Sequence, residues 1–400
     1  MRGVEKHPPT VSIRGCASYE PALVDDVVRR AVADLGGIRK FVSTGERILI
    51  KPNMLVPRRP DEAITTHPEV LRVAIRLVKE AGGVPVVGDS PAGRSTERIL
   101  RHLADRTGVA AVCDEEEVEF VLFTESAKIP HPDGVVAKSF ELASVASEVD
   151  GIVSLAKLKT HSFTRFTGAV KNLFGLVYGL RKAEYHLRMR DPESFSEMLV
   201  DLAERVKPRL TLMDGVVGMD GDGPSAGRVR DVGVIMASAN PHALDAAALE
   251  AVGADPDSVW TVSAARRRGL LPGAGPEGGI RIIGDDIASL NVAPFRMPPK
   301  LRVFGAVPRV LGGFVAEGAT RKPVFLAREC VKCGSCVEIC PAEVLSIEGG
   351  AEGVTIDRSE CIRCYCCQEI CPEGAVELRR MPIRSWARAF ARRLRRDKAG

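Results

Sequence analysis

From residue 10 to about residue 285, short β-branched or aliphatic runs alternate with longer stretches whose apolar residues recur every three to four positions. The first kind reads as strands buried on both faces, the second as amphipathic helices. The pattern predicts strands at Val11–Arg14, Arg47–Lys51, Val84–Gly88, Val109–Val112, Glu119–Phe123, Gly151–Leu155, Leu210–Met213, Val232–Met236 and Ile280–Ile283. Between them it predicts helices at Pro21–Leu35, Pro68–Ala81, Ser95–Arg106, Gly168–Gly179, Glu193–Val206, Pro241–Val252 and Asp257–Arg268. The first helix opens on a proline, and the second runs from Thr66-His67-Pro68 to Gly82-Gly83, which are start and stop signals. This alternation is that of an α/β fold, a large and mostly parallel sheet with crossover helices, expected over residues 1–290.

Residues 291–324 carry five prolines and little periodicity, so they read as a linker or an irregular wrap. Two copies of one pattern follow, starting at Cys330 and Cys361, which suggests a small α+β module with pseudo-twofold symmetry over 325–380. Residues 381–400 form a basic amphipathic tail in which Trp386, Phe390 and Leu394 recur every fourth position among arginines.

Composition sharpens this division. The 400 residues carry a net charge of +4, too mild for a dedicated nucleic-acid binder. Nine basic residues and one acid lie from Arg379 onward, so the rest of the chain, with 47 basic and 51 acidic groups, is mildly acidic. No secretory leader and no apolar run of membrane-spanning length occurs, so a cytoplasmic protein is expected, with contact to the inner membrane face through the tail as one reading. A solvated terminal helix packed on the module and a protein-docking arm are the other readings of the tail.

Nine of the eleven cysteines lie between Cys330 and Cys371. In a reducing compartment such density points to metal ligation, not disulfides. Each copy reads C-x-x-C-x-x-C-x-x-x-C-P, at Cys330, Cys333, Cys336, Cys340 and at Cys361, Cys364, Cys367, Cys371. Three closely spaced thiolates wrap one iron-sulfur cube, and the fourth ligand arrives from elsewhere; zinc sites favour two separated pairs. The stretch resembles the bacterial two-cluster ferredoxin domain. By that resemblance Cys330, Cys333, Cys336 and Cys371 hold one 4Fe-4S cluster, and Cys361, Cys364, Cys367 and Cys340 hold the other. Both electron transfer and a purely structural role fit such clusters. Cys366 falls outside the pattern and reads as a small buried thiol.

In open parallel sheets ligands bind beyond the carboxyl ends of the strands, where loops and helix N-termini converge. Those ends become polar one after another: Lys51-Pro52-Asn53, Asp89-Ser90-Pro91, Lys157 to His161 with Lys171-Asn172 ten residues on, and Asp214-Gly215. With Thr66-His67-Pro68 and the run Gly168 to Gly175, these residues resemble the family called domain of unknown function 362, a likeness that spans about residues 10–285 and brings no reaction with it. A following ferredoxin module is common in that family.

Chemistry therefore rests on residue types. Lys51, Lys159, His161 and Lys171 are the candidate catalytic residues, and Asn53, Asp89, Ser90, Lys157, Asn172 and Asp214 the candidate binding residues. The lysines suit a small anion, and His161 with one lysine suits proton transfer. A solvated lysine face with a core histidine is the plain alternative. Asp89, Asp214, Asp220 and Asp222 read either as ligands of a divalent cation or as turn and cap residues. No phosphate loop, G-x-S-x-G elbow, H-E-x-x-H run or flavin motif occurs. The leading expectation is an iron-sulfur redox protein whose module exchanges electrons with a reaction in the α/β crevice and with a partner protein. The alternatives are an electron carrier or assembly subunit whose α/β domain only binds, and a non-redox lyase or isomerase with structural clusters.

Overall fold

The computed structural model describes residues 8–272, 279–300, 321–347 and 353–380. The apolar runs form strands β1 (Thr10–Gly15), β2 (Arg47–Lys51), β3 (Val84–Val87), β4 (Glu119–Phe120), β5 (Ser126–Pro130), β6 (Ser139–Ala143), β7 (Gly151–His161), β8 (Arg165–Thr167), β9 (Leu210–Asp220), β10 (Arg228–Ser238) and β11 (Arg281–Gly284). Nine of them make one mixed, mostly parallel sheet in the order β11-β1-β10-β9-β7-β2-β3-β4, with β8 paired to β7. The block β9-β7-β2-β3-β4 is parallel, whereas β10 runs antiparallel to both β1 and β9. β5 and β6 form a separate hairpin.

Strand order locates the crevice. From β2 the chain moves outward to β3 and β4, then returns to lay β7 on the other side of β2. That reversal leaves a gap beyond the carboxyl ends of β2 and β7, where connections diverge and a ligand can enter. Helices cover both faces: the Pro21–Ala33 and Pro68–Glu80 helices bury one apolar cluster with Ile48, Ile50, Val153 and Leu155, and the Pro241–Ala251 helix buries another with Val11, Ile13, Ala156 and Met236.

Several expectations change. Val109–Val112 is not a strand but the start of a helix, Val109–Glu115, which buries Val109, Val112 and Cys113 on one side; so short an apolar run satisfies either period. The expected Gly168–Gly179 helix shrinks to one α turn, Ala169–Asn172, followed by a 3₁₀ turn, Leu173–Leu176. Strands β7 and β9 run six and seven residues past their predicted ends. Lys157, Lys159 and His161 are therefore strand residues and not loop residues.

The C-terminal part is a small ferredoxin-like domain: two short sheets, β12 (Lys322–Phe325) with β15 (Val376–Arg379) and β13 (Leu345–Ile347) with β14 (Val354–Ile356), and two single-turn helices, Ser335–Glu338 and Cys366–Glu369. It sits on the crevice end of the large sheet. Tyr365 packs in the same apolar cluster as Phe123, Phe174 and Phe195. Ser225 Oγ donates to the Gln368 carbonyl at 3.3 Å, Gln368 Nε2 donates to the Asp222 carbonyl at 3.3 Å, and Arg94 pairs with Glu338. No helix among the described residues is long and apolar enough to cross a membrane. The basic tail at 381–400 and most of the expected linker, at 301–320, lie outside the described residues.

Candidate functional site

At the reversal between β2 and β7 lies a cavity of about 60 Å³ lined by Asn53, Asp89, Ser90, Lys159, Lys171 and Asn172, with Lys182 and His186 opposite and Ile339, Cys366 and Glu369 as a roof from the ferredoxin-like domain. Six of the expected site residues thus come together. Lys51 lies just behind them, fully buried, with Nζ 2.9 Å from Asp89 Oδ1 and hydrogen bonds to the Pro52 carbonyl and Asn172 Oδ1. Asn172 Oδ1 also accepts from Asn53 Nδ2 at 3.1 Å, and Asn53 Oδ1 accepts from Lys159 Nζ at 2.8 Å. One continuous polar chain therefore runs from Asp89 to Lys159 and fixes both lysines.

Two glycines make room for it. A Cβ at Gly175 would stand 2.2 Å from Asp89 Oδ1 and 2.6 Å from Lys51 Nζ. One at Gly168 would meet Asp245 Oδ1 at 2.1 Å, the oxygen that accepts from Ala169 N at 2.6 Å and so anchors the turn carrying Lys171 and Asn172.

Burial sets the protonation behaviour. It pushes the Lys159 ammonium well below its ordinary range, with Lys171 and Lys157 adding repulsion. It brings Lys182 down to about 7, despite the opposing pull of Asp89. Lys182 also donates to Ser90 Oγ and to the Pro91 carbonyl, while Ser90 donates to the Gly175 carbonyl at 2.7 Å. Lys171 is only half-buried, has no hydrogen-bonding partner among the described residues, and lies over the Phe174 ring at 5.9 Å.

Three expected site residues stand elsewhere. Lys157 and Asp214 pair with each other at 2.8 Å, and both contact the Tyr19 hydroxyl, which Lys157 donates to and Asp214 accepts from. Tyr19 in turn stacks on His67 at 3.6 Å, so this pair is a buried tie between strands and does not line the cavity. His161 is seated behind Glu369, with Nε2 2.9 Å from Glu369 Oε1. Its Nδ1 accepts from the Phe163 and Thr164 backbone N–H groups, which leaves the ring proton on Nε2. Burial and then Lys171 lower its pKa to about 4, so His161 is neutral at pH 7 and steadies Glu369. Burial pushes the Glu369 carboxyl up, but the His161 ring beside it and the Lys171 charge prevail and hold it at about 2. His161, expected as an acid-base residue, is therefore seated behind Glu369 and does not line the cavity.

The four aspartates do not gather around a cation. Asp89 is held by Lys51, Asp214 by Lys157, Asp220 by Arg228 and Arg230 at 2.8 and 2.7 Å, and Asp222 by Arg321. Among the described residues no three His, Cys, Asp or Glu side chains close on a single ion.

The cysteines instead ring two cavities. Cys330, Cys333, Cys336 and Cys371 line one, and Cys340, Cys361, Cys364 and Cys367 line the other, the grouping implied by the ferredoxin likeness. Left-handed backbone at Lys332, Gly334 and Glu343 recurs at Arg363, Tyr365 and Gly374, which wraps both loops alike around their cavities. Ala375 N donates to Cys371 Sγ at 3.2 Å, a contact of the kind that tunes a cluster. Four thiols around a cavity fit a four-iron cube, which these residues would hold. Cys361→Ala is expected to lower iron and acid-labile sulfide from about eight of each per chain to about four. An unchanged count would remove Cys361 from the ligand set.

Sequence reasoning missed Lys182, His186 and Glu369, and it read Cys366 as a small buried thiol, which it is, without placing it at the cavity. Lys182 and His186 are four apart on the Arg181–Arg188 helix, a spacing that puts them on one face and that could have pointed to them.

Comparison with known proteins agrees with this geometry. Residues 329–375 match the 4Fe-4S dicluster domain, so this is an iron-sulfur protein, and residues 48–250 match the domain of unknown function (DUF362). A thylakoid-associated protein of Synechocystis is 36% identical over 266 residues, covering 66% of this chain and 81% of that protein. Among solved structures, the lactate racemase apoprotein of Thermoanaerobacterium thermosaccharolyticum superposes with a TM-score of 0.41 at 18% identity, over 60% of this chain and 56% of that one. A Thermotoga maritima protein does so at 0.33 and 14%, over 50% of each chain. The chain thus spans about half the length of either solved structure, and neither bears on its chemistry. With the family match covering half of its length, and the crevice built from the residues that carry the likeness, the chain belongs to the domain of unknown function (DUF362) family and joins to it a C-terminal 4Fe-4S dicluster domain.

Proposed function

We propose that the protein is an oxidoreductase that transforms a small anion in the crevice, exchanging electrons with the ferredoxin-like domain above it. One observation carries this reading: the Cys366 side chain lines both the crevice and the cavity ringed by Cys340, Cys361, Cys364 and Cys367. A single residue thus separates substrate from cluster site. When bound, the cluster supplies electrons one at a time at low potential.

The chain's own residues do the rest. Lys171, held by no hydrogen bond among the described residues, binds the anion, and Lys159 and the two asparagines orient it. Lys182, at about 7, gives or takes the proton that accompanies each electron. Ile339, Cys366 and Glu369 close the crevice against water. A carrier protein supplies or removes the electrons. The thylakoid association named for the Synechocystis relative supports contact of this protein with a membrane surface, for which the basic residues at 381–400 are suited, with the protein otherwise cytoplasmic.

The test is anaerobic oxidation of reduced methyl viologen by reconstituted protein against a panel of 2-oxo acids and 2-enoates. At least one anion is expected to sustain oxidation beyond the amount that the clusters themselves absorb. Oxidation that stops there with every anion would favour the electron-carrier reading, in which the crevice only binds.

A further inference from the structure

The two cysteine copies are related residue by residue at a separation of 31, and their counterparts lie in opposite surroundings. Glu338 of the first copy makes a half-exposed ion pair with Arg94, whereas its counterpart Glu369 roofs the crevice against His161 with 0% and 8% of the two side chains exposed. Val331 is 62% exposed; its counterpart Ile362 packs beside Ala183, Cys364 and Cys366. Gly334 becomes the buried Tyr365, although the backbone there is left-handed and favours glycine. Ser335, which opens the Ser335–Glu338 turn beside the exposed Cys333, becomes Cys366, the shared wall of cluster cavity and crevice. Ile339, the one first-copy residue in the roof, adjoins Cys340, which rings the second cavity and not the first.

We propose that the copies have diverged into an outer and an inner port. The cluster site of Cys330, Cys333, Cys336 and Cys371 meets electron carriers from solution at the Cys333 loop, and the site of Cys340, Cys361, Cys364 and Cys367 alone serves the crevice. In the reducing direction a one-electron carrier protein is oxidised by one electron at the outer site, which is reduced and then reoxidised by the inner site, and the inner site reduces the substrate. Two such passages and two protons complete a two-electron reduction, and the reverse order serves an oxidation. The inference rests on the proposed redox role for its direction of flow, but the placement of the two sites is testable without turnover.

The test uses the full chain with both clusters loaded, partly reduced and frozen for electron paramagnetic resonance. The signal lost in Cys361→Ala belongs to the inner site. A soluble dysprosium chelate is expected to speed spin relaxation of the outer signal at least threefold more than that of the inner one. Glu369→Gln and, as a second crevice change on the other side of the interface, Lys171→Gln are expected to shift the inner signal and its midpoint potential while leaving the outer ones in place. Glu338→Gln is expected to leave the inner signal unmoved. Equal relaxation of both signals, faster relaxation of the inner one, or a shift of the outer signal by either crevice variant would overturn the assignment. A supporting result on these measurements combined with no anion-dependent viologen oxidation would overturn the proposed reaction alone.

Discussion

Lys159→Met is expected to lower anion-dependent viologen oxidation by about 10²- to 10³-fold in kcat, with iron and sulfide unchanged, the usual loss when one preorganised donor is removed from a dry site. Lys159 lies on β7, 1% exposed, and its ammonium is aimed by Asn53 Oδ1 and the Ile64 carbonyl toward the cavity. Lys171→Ala removes a charge that is only half-buried and is held by no hydrogen bond among the described residues, so its effect is expected chiefly in KM, as for an interaction that substrate and transition state share. His161→Gln is expected to act between the two. It is a positioning residue behind Glu369, so kcat falls about tenfold, and the acidic limb of the pH profile, set by lysines, keeps its place. A Lys159→Met enzyme with normal kcat would remove that lysine from the reaction. A His161→Gln enzyme whose acidic limb moves would return the histidine to the proton path.

The contrast between Lys159 and His161 also measures how far the sequence could be read. The polar residues after each apolar run revealed the crevice, because in a parallel sheet the chain order of such ends is enough to name them. The strand ends themselves did not show. Lys157, Lys159 and His161 alternate with Leu158 and Thr160 on β7, and in a fully enclosed strand both sides are buried, so no alternation of polarity marks where the strand stops. Which lysine faces the cavity and which pairs with Asp214 depends on the partner strand: β9 sets Lys157 directly against Asp214. No short-range pattern carries that register. The cysteine spacing was legible in full because the cube dictates it locally. Glu369 and Cys366 were not, since their role comes from docking the ferredoxin-like domain over the crevice, and the repeat alone gives no reason to expect Glu369 to differ from Glu338.

The other large effect expected is on stability, at Lys51 and Asp89. Both are buried, 0% and 2% exposed, 2.9 Å apart, and the close approach of Gly175 leaves no space there for a larger side chain. Breaking such a pair by removing one partner strands a charge, at a cost of about 3–5 kcal/mol. Lys51→Met keeps the length of the side chain but leaves the Asp89 carboxylate with the Met54 N–H at 2.9 Å as its remaining donor. The urea midpoint, followed by far-UV circular dichroism, is expected to fall accordingly. The double variant Lys51→Met with Asp89→Asn removes both charges and keeps an acceptor for Met54 N, so it is expected to recover at least half of the loss. A single variant as stable as the parent would mean that the pair contributes no net ionic interaction. A double variant no better than the single would assign the cost to packing and to the broken hydrogen bonds of Lys51 with Pro52 and Asn172, and the polar chain from Asp89 to Lys159 would then be held by shape before charge.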